Sequence, residues 1–376
     1  MKIFADKNIL AVQANFSRHG ELHLFDGRSV SQEDLIDADV LLVRSITSID
    51  ELLIGGTKIR FVGTATSGID HVDTAYLREA GIHFVDAKGS NANAVVDYCF
   101  TALAFAALHR NFSLAGSRVG IVGAGAVGGL FATKLEELGV EVRCYDPILA
   151  ALVEGNRQFY SLDAVLECDV VSLHVPLTST TEHPTRNLIG AAELAALRKH
   201  AILINACRGC VVDELALKRL LLKRKDIITI FDVWANEPAI DSSLAQSVNI
   251  ATPHIAGYSA EAKSNATKIL AREFESHFKL GAAVEEDADE GAADVATVED
   301  APGKLAQWST LLTALPLDEL SEQFKRALSD GAETDAFDTF RQKLLTRREF
   351  INRPLRRDVY SSDQQKQLIV LGFRFE

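Results

Sequence analysis

RVGIVGAGAVGGLFATKLEELGVEVRCYD, residues 118–146, decides the fold. Arg118 to Val122 is a β-rich run that enters Gly123-Ala-Gly125-Ala-Val127-Gly128. A helix-periodic stretch follows to Leu138, and a second apolar strand ends in Asp146. In such a strand–turn–helix the first glycine permits the tight turn and the second lets the backbone approach a pyrophosphate. The third lets helix and strand pack closely. The helix N-terminus adds free N–H groups and the positive end of the helix dipole, both suited to phosphate. Asp146 follows the first glycine by 23 residues, where a carboxylate accepts both ribose hydroxyls of NAD and repels the 2′-phosphate of NADP. A glycine-rich turn alone says little. With strand, helix, second strand and acid in register, a dinucleotide site is expected, with NAD as cofactor.

The same alternation extends on both sides. Before the glycine loop, strands are expected at Lys2–Ala5, Val40–Arg44, Arg60–Thr64 and His83–Asp86, with helices such as Ser31–Ala38 and Thr74–Ala80 between them. After it come strands at Asp169–His174, Ala201–Asn205, Ile227–Phe231 and Asn249–Ala251. Alternation of this kind means parallel sheets with crossover helices, here twice over. The expected fold is α/β, with two Rossmann-like parallel-sheet domains. Long helices, Asn93 to Arg110 and Ser259 to Lys279, join them.

At 376 residues the chain has room for two or three domains. Residues 1–94 with 256–280 form the expected substrate-binding domain, and 95–255 the NAD-binding domain. Of the net charge of −13, eight negative charges fall in 281–303, an Ala/Asp/Glu stretch without Lys, Arg or aromatic residues. That stretch reads as a linker. From 304 to 376 a small α+β module is expected, with helices at Leu317–Leu328 and Phe337–Phe350 and a strand near Leu368–Phe373. Its helices carry apolar stripes, and a core of about 70 residues needs docking or dimerisation to stand. No basic cluster suggests nucleic acid, and no run of 18 apolar residues suggests a membrane span. The opening MKIFADKNIL lacks the pattern of a secretory signal. Five cysteines, an odd number, suit a reducing cytoplasm.

Ligands of such folds bind at the carboxyl ends of strands. Those ends read Arg44-Ser45, Thr64-Ala-Thr66-Ser-Gly68, Asn205-Ala206-Cys207-Arg208-Gly209, Asp232-Val-Trp-Ala-Asn-Glu237-Pro238 and Thr252-Pro-His254-Ile-Ala-Gly257-Tyr258. A carboxylate beside an imidazole fixes its tautomer and favours its protonated form, as a general acid/base needs. An arginine at a neighbouring strand end can fork a carboxylate. Arg208, Glu237 and His254 together fit oxidation of a carbon that bears a hydroxyl and a carboxylate. Cys207 and Cys210 flank the arginine as C-x-x-C, without a second pair or a thioredoxin-like context to support a redox or zinc role. No histidine spacing suggests a metal ligand set, and no metal is expected.

The segments VGIVGAGAVG (119–128), INACRGCVVDELAL (204–217), DVWANEP (232–238) and TPHIAGYS (252–259) resemble the D-isomer-specific 2-hydroxyacid dehydrogenases. Within that superfamily, KIFADKNI (2–9), LLVRSIT (41–47), KIRFVGTATSGIDHVD (58–73) and FDTFRQKLLTRREF (337–350) resemble the erythronate-4-phosphate dehydrogenases of vitamin B6 biosynthesis. The resemblance implies Arg208 and Glu237 as catalytic partners and His254 as proton donor and acceptor. It implies cofactor contacts at Gly123, Gly125, Val127, Gly128, Asp146, Val175, Ala206, Cys207, Asp232 and Gly257. Substrate contacts fall to Ser45, Thr66 and Tyr258, and a substrate phosphate needs a second cation, for which Arg44 is the candidate. The terminal module would be that family's dimerisation domain, and the partner a small phosphorylated 2-hydroxy acid. In 87–98, AKGSNANAVVDY, the chain departs from the family, which has Pro at 88, Cys at 90 and Glu at 97. Two other readings fit the same motifs: another dehydrogenase of the superfamily, such as one acting on 3-phosphoglycerate, and an NAD-sensing corepressor-like scaffold.

Overall fold

The computed structural model describes residues 1–152, 157–280, 305–329, 337, 339–341, 344 and 346–376. The acidic stretch 281–303 lies outside them. The chain divides into two compact units, Met1–Asn91 with Ala260–Ala292 and Ala92–Ser259 with Ala293–Glu376.

In the first unit five strands form one parallel sheet: β1 (Lys2–Asp6), β2 (Glu21–Phe25), β3 (Val40–Val43), β4 (Phe61–Thr64) and β5 (His83–Asp86), in the order β2-β1-β3-β4-β5. β3 and β4 are buried throughout, as expected of strands covered on both faces. One face packs Ile3, Phe16 and Phe61 with Leu270 and Phe274 of the long helix Ala260–His277, and the other buries Leu41, Val43, Val62 and Leu77. Two features differ from the sequence reading. Glu21–Phe25 is a strand, hidden in the sequence because a half-exposed edge strand spaces its apolar residues with Glu and His. Ser31–Ala38 is not a helix beyond one 3₁₀ turn, Glu33–Leu35, because it buries only Leu35 and the small Ala38 and Asp34 is bonded back to Ser31.

The second unit holds six parallel strands, β6 (Arg118–Val122), β7 (Glu141–Tyr145), β8 (Val170–Leu173), β9 (Ile202–Asn205), β10 (Ile228–Phe231) and β11 (Ile250–Ala251). Their order is β11-β10-β9-β8-β6-β7, so strand order reverses between β6 and β8, at the glycine loop. Helix Ala92–His109 is buried from Ala94 to Ala107. By length and composition it could cross a membrane, and among the described residues it alone could; its apolar surface is taken up by the core.

The terminal segment adds helices Ala306–Ala314, Leu317–Ser329 and Ser362–Leu371 and a two-stranded pair, Pro354–Leu355 with Arg374–Phe375. Leu311, Phe350, Leu355, Leu368 and Phe373 share a hydrophobic core with Val95–Ala106 of the long helix. The rings of Phe350 and Phe373 stack at 4.4 Å within it. Residues 368–371, expected to open a strand, close a helix instead. Ser361 and Gln364 form its capping box and Gly372, at φ 120°, ends it. The expected helix Phe337–Phe350 falls partly outside the described residues, and Arg347–Glu349 are not helical.

Candidate active site

The glycine loop joins β6 to helix Ala126–Glu137, whose N-cap is Gly125. Gly123 has φ 90°, and a Cβ there would come within 2.7 Å of the His174 carbonyl. A Cβ on Gly128 would run into the Gly123 carbonyl, whereas one on Gly125 would meet nothing within 4 Å. Gly123 and Gly128 are therefore required by the chain's own packing, and Gly125 leaves an open approach to the helix N-terminus. Asp146, at the end of β7, accepts from the N–H of Ala124 at 3.0 Å and of Leu149 at 3.0 Å. A diphosphate-bridged dinucleotide fits this cradle.

Beyond β8, Val175 packs its side chain against Gly123, and burial pushes the neighbouring Cys207 thiol up to about 11. Burial thus favours the neutral thiol over the thiolate. β9 ends at Asn205, whose buried amide accepts from Cys207 N–H at 3.2 Å and donates to the Arg208 carbonyl at 3.1 Å. This staple sets the turn that carries Arg208, and Arg208 Nη1 donates to the Cys207 carbonyl at 2.7 Å. Gly209 sits so close to the Trp234 backbone that a Cβ would overlap it.

β10 leads into Asp232, which is wholly buried. Its Oδ1 accepts from Thr252 Oγ1 at 2.7 Å and Ile255 N–H at 2.8 Å, and its Oδ2 from Ala256 N–H at 2.8 Å. Burial raises this carboxyl above its usual range, while the charge of His254 and these three donors pull it back. His254 N–H donates to the Asp232 carbonyl at 2.6 Å, and His254 itself adopts φ 55°. Its Nδ1 lies 2.7 Å from Glu237 Oε2, and Glu237 Oε1 accepts from Trp234 N–H at 2.8 Å. Burial alone would raise the Glu237 carboxyl. The charge and hydrogen bond of His254, the Trp234 N–H and the charge of Arg341 outweigh it and hold the carboxyl below its usual range. Tyr258 closes the loop, with the Arg341 guanidinium 4.7 Å above its ring.

The segment 104–256 matches the family model for the D-isomer specific 2-hydroxyacid dehydrogenase NAD binding domain. The whole chain is 40% identical, over 384 aligned residues, to all of an erythronate-4-phosphate dehydrogenase of Cellvibrio japonicus. It belongs to the erythronate-4-phosphate dehydrogenase family. A Pseudomonas putida enzyme of that name is 48% identical over 268 residues, covering 71% of this chain and 70% of its own. Among solved structures, an NAD⁺-bound 3-phosphoglycerate dehydrogenase of Entamoeba histolytica superposes with TM-score 0.64 at 26% identity, covering 75% of this chain and 96% of that one.

Three of the residues assigned to substrate lie in the first unit: Ser45 and Thr66, which the resemblance implies, and Arg44, the phosphate candidate. Arg44-Ser45 follows β3 and Thr66 follows β4, and those strands are neighbours, so all three share one end of the sheet. Ser45 is exposed. Thr66 Oγ1 donates to the Gly68 carbonyl at 2.9 Å and lies 2.8 Å from Thr64 Oγ1, which is itself 2.9 Å from His71 Nε2. Arg44 Nε lies 3.0 Å from Oδ2 of the buried Asp6, a charge contact whose angles are too poor for a hydrogen bond. Residues not singled out from sequence also shape the candidate site: Asn205, Thr252, Arg341, Arg347 and Glu349. Asn205 and Thr252 stand inside quoted strand-end motifs and were within reach. The last three act on site-loop residues more than eighty positions away, which no local pattern signals.

Proposed function

We propose that this chain oxidises 4-phospho-D-erythronate to (R)-3-hydroxy-2-oxo-4-phosphooxybutanoate in the route to pyridoxal 5′-phosphate, with NAD as cofactor. The observation that carries the reading is the 2.7 Å contact of Glu237 with His254 Nδ1, in a chain 40% identical from end to end to an enzyme of that name. Glu237 holds the Nδ1–H tautomer, which leaves Nε2 to take the proton of the substrate hydroxyl. The carboxylate then stabilises the imidazolium that results. Arg208, on its Asn205-stapled turn, forks the substrate carboxylate. Gly123, Gly125, Val127, Gly128, Asp146, Val175, Ala206, Cys207 and Gly257 line the place assigned to the cofactor, and Asp232 shapes it by holding the 252–256 loop. When bound, NAD accepts the hydride released from the carbon that bears the hydroxyl.

Ser45, Thr66 and Tyr258 contact substrate in this reading, and Arg44 faces its phosphate. The terminal segment 304–376 completes a homodimer, and the enzyme works in the cytoplasm. The test compares 4-phosphoerythronate, erythronate and 3-phosphoglycerate with NAD. A preference for 4-phosphoerythronate of about ten- to a hundredfold in kcat/KM, seen mostly in KM, is expected from one charge-assisted phosphate contact. Arg44→Ala should erase most of that preference. Equal use of erythronate sinks the phosphate assignment, and no turnover with any of the three sinks the enzyme reading.

A further inference from the structure

The loop that carries His254 is gripped from two sides by residues of opposite charge. On one side, the Asp232 carboxylate accepts the N–H groups of Ile255 and Ala256 at 2.8 Å each. On the other, Arg347 Nη1 donates to the carbonyls of the same two residues, at 3.1 and 3.0 Å. Arg347 Nη2 reaches the Ala94 carbonyl at 2.8 Å, at the start of the long buried helix. Two residues on, Glu349 Oε1 accepts from Ser259 Oγ at 2.8 Å, at the far end of the loop, and the next N–H, that of Phe350, donates to the Asp97 carboxylate at 2.8 Å.

Arg347 and Glu349 are 5% and 2% exposed. Burying a guanidinium costs several kcal/mol unless its N–H groups are well matched, so a residue kept there at that cost has a defined task. A structural task alone would be met by any carbonyls. Here the carbonyls chosen are those of the two peptides that follow His254, whose own left-handed backbone must be held by its surroundings. The Phe350 and Phe373 rings and Lys134 Nζ, which donates to the Val370 carbonyl at 2.9 Å, fix the segment that delivers Arg347.

We propose that Arg347 is a positioning residue for proton transfer. The terminal segment, beyond any part in dimerisation, sets the placement of the His254 imidazole through the 255–256 peptides, with Glu349 and Ser259 as its second anchor. This rests on the proposed role of His254 as the proton acceptor.

The test uses the full chain carrying Arg347→Ala, Arg347→Lys, Ser259→Ala or His254→Asn, with kcat, KM for both substrates, NADH affinity by fluorescence and melting temperature measured for each. A misplacement of about 1 Å at a reacting group costs on the order of a hundredfold in rate. Arg347→Ala should therefore lose about ten- to a hundredfold in kcat, with NADH affinity within about threefold, and added guanidinium should restore part of kcat. Arg347→Lys keeps the charge but loses the fork, and should fold while keeping a kcat deficit. It decides the matter if the alanine variant does not fold. A folded Arg347→Lys with kcat and pH profile unchanged overturns the proposal, as does an alanine variant whose only deficit is a lower melting temperature. Should His254→Asn retain turnover, the acid/base reading itself falls, whatever the Arg347 variants do.

Discussion

Asp146, the acid assigned to the cofactor ribose, is bonded through Oδ2 to the N–H of Ala124 at 3.0 Å, inside the glycine loop. The carboxylate steadies the turn between Gly123 and Gly125 and, in the proposed function, presents negative charge where a 2′-phosphate would sit. NAD should bind well above NADP. Asp146→Ala should narrow that gap and also weaken NAD itself by about tenfold or more, because a charge-assisted hydrogen bond to the loop is lost. Dissociation constants for both cofactors check this, and equal binding of the two by the natural protein would refute the assignment.

His254→Asn should cut turnover by about 10²–10⁴-fold while NADH still binds, since the loss falls on proton transfer. Asparagine tolerates the left-handed backbone that His254 occupies, so the fold should survive. Glu237 is held below the usual carboxylate range, so its charge is present at neutral pH and is lost only as pH falls through that lowered value. Glu237→Gln should therefore lower kcat across the whole neutral range. Full activity of Glu237→Gln at pH 7 would remove the carboxylate from the mechanism.

Gly209 and Gly125 should respond in opposite ways. Alanine at 209 would overlap the Trp234 backbone and so push apart the turns that carry Arg208 and Glu237. Overpacking of this kind costs about 1–3 kcal/mol of stability, and turnover should drop with it. Alanine at 125 meets no protein atom within 4 Å, so its melting temperature should not change while NAD affinity falls. Differential scanning calorimetry alongside NADH titration separates the two.

Two buried groups give stability an acid and an alkaline flank. Burial takes His174 from 6.5 down to about 4, so the unfolded chain takes up a proton first and stability is lost as pH falls from 6.5 towards 4. Burial takes Asp97 the other way, from 3.8 to about 7, opposed by the Phe350 N–H and the charge of Arg347. Its folded form holds a proton that the unfolded chain releases, so stability is lost as pH rises through that interval. Relative to the natural protein, the melting temperature of Asp97→Asn should improve between pH 5 and pH 8. His174→Phe should lose less stability than the natural protein between pH 7 and pH 5. Parallel pH curves for variant and natural protein would show that neither group titrates as described.

The glycine loop and the strand-end motifs were legible because each is a short run whose chemistry is local. Gly123, Gly128, Asp146, Glu237 and His254 are all read from a few neighbours and a spacing, and the parallel sheets follow from alternation. Glu21–Phe25 carries no strand signal because an edge strand needs no continuous apolar run. Leu368–Leu371 misled because a short apolar run fits a strand or a buried helix equally, and only the cap at Ser361 and the stop at Gly372 decide. Arg347 was legible as a letter in FDTFRQKLLTRREF but not as a partner of Ile255 and Ala256. Long-range pairing of a side chain with backbone carbonyls leaves no periodicity to read.

The double grip on the 255–256 peptides also bears on how this family can diverge. A backbone held at its N–H groups by residue 232 and at its carbonyls by residue 347 is blind to the side chains between, provided they stay small or apolar enough to fit. Drift should therefore be tolerated at 255 and 256 and resisted at 232 and 347. Replacement of the arginine should be accompanied by change at 97, whose carboxylate lies beside it. Segments more than ninety residues apart are in this sense inherited as one gene product's single heirloom, and a chimera that takes its loop from one lineage and its tail from another should work only when those positions travel together.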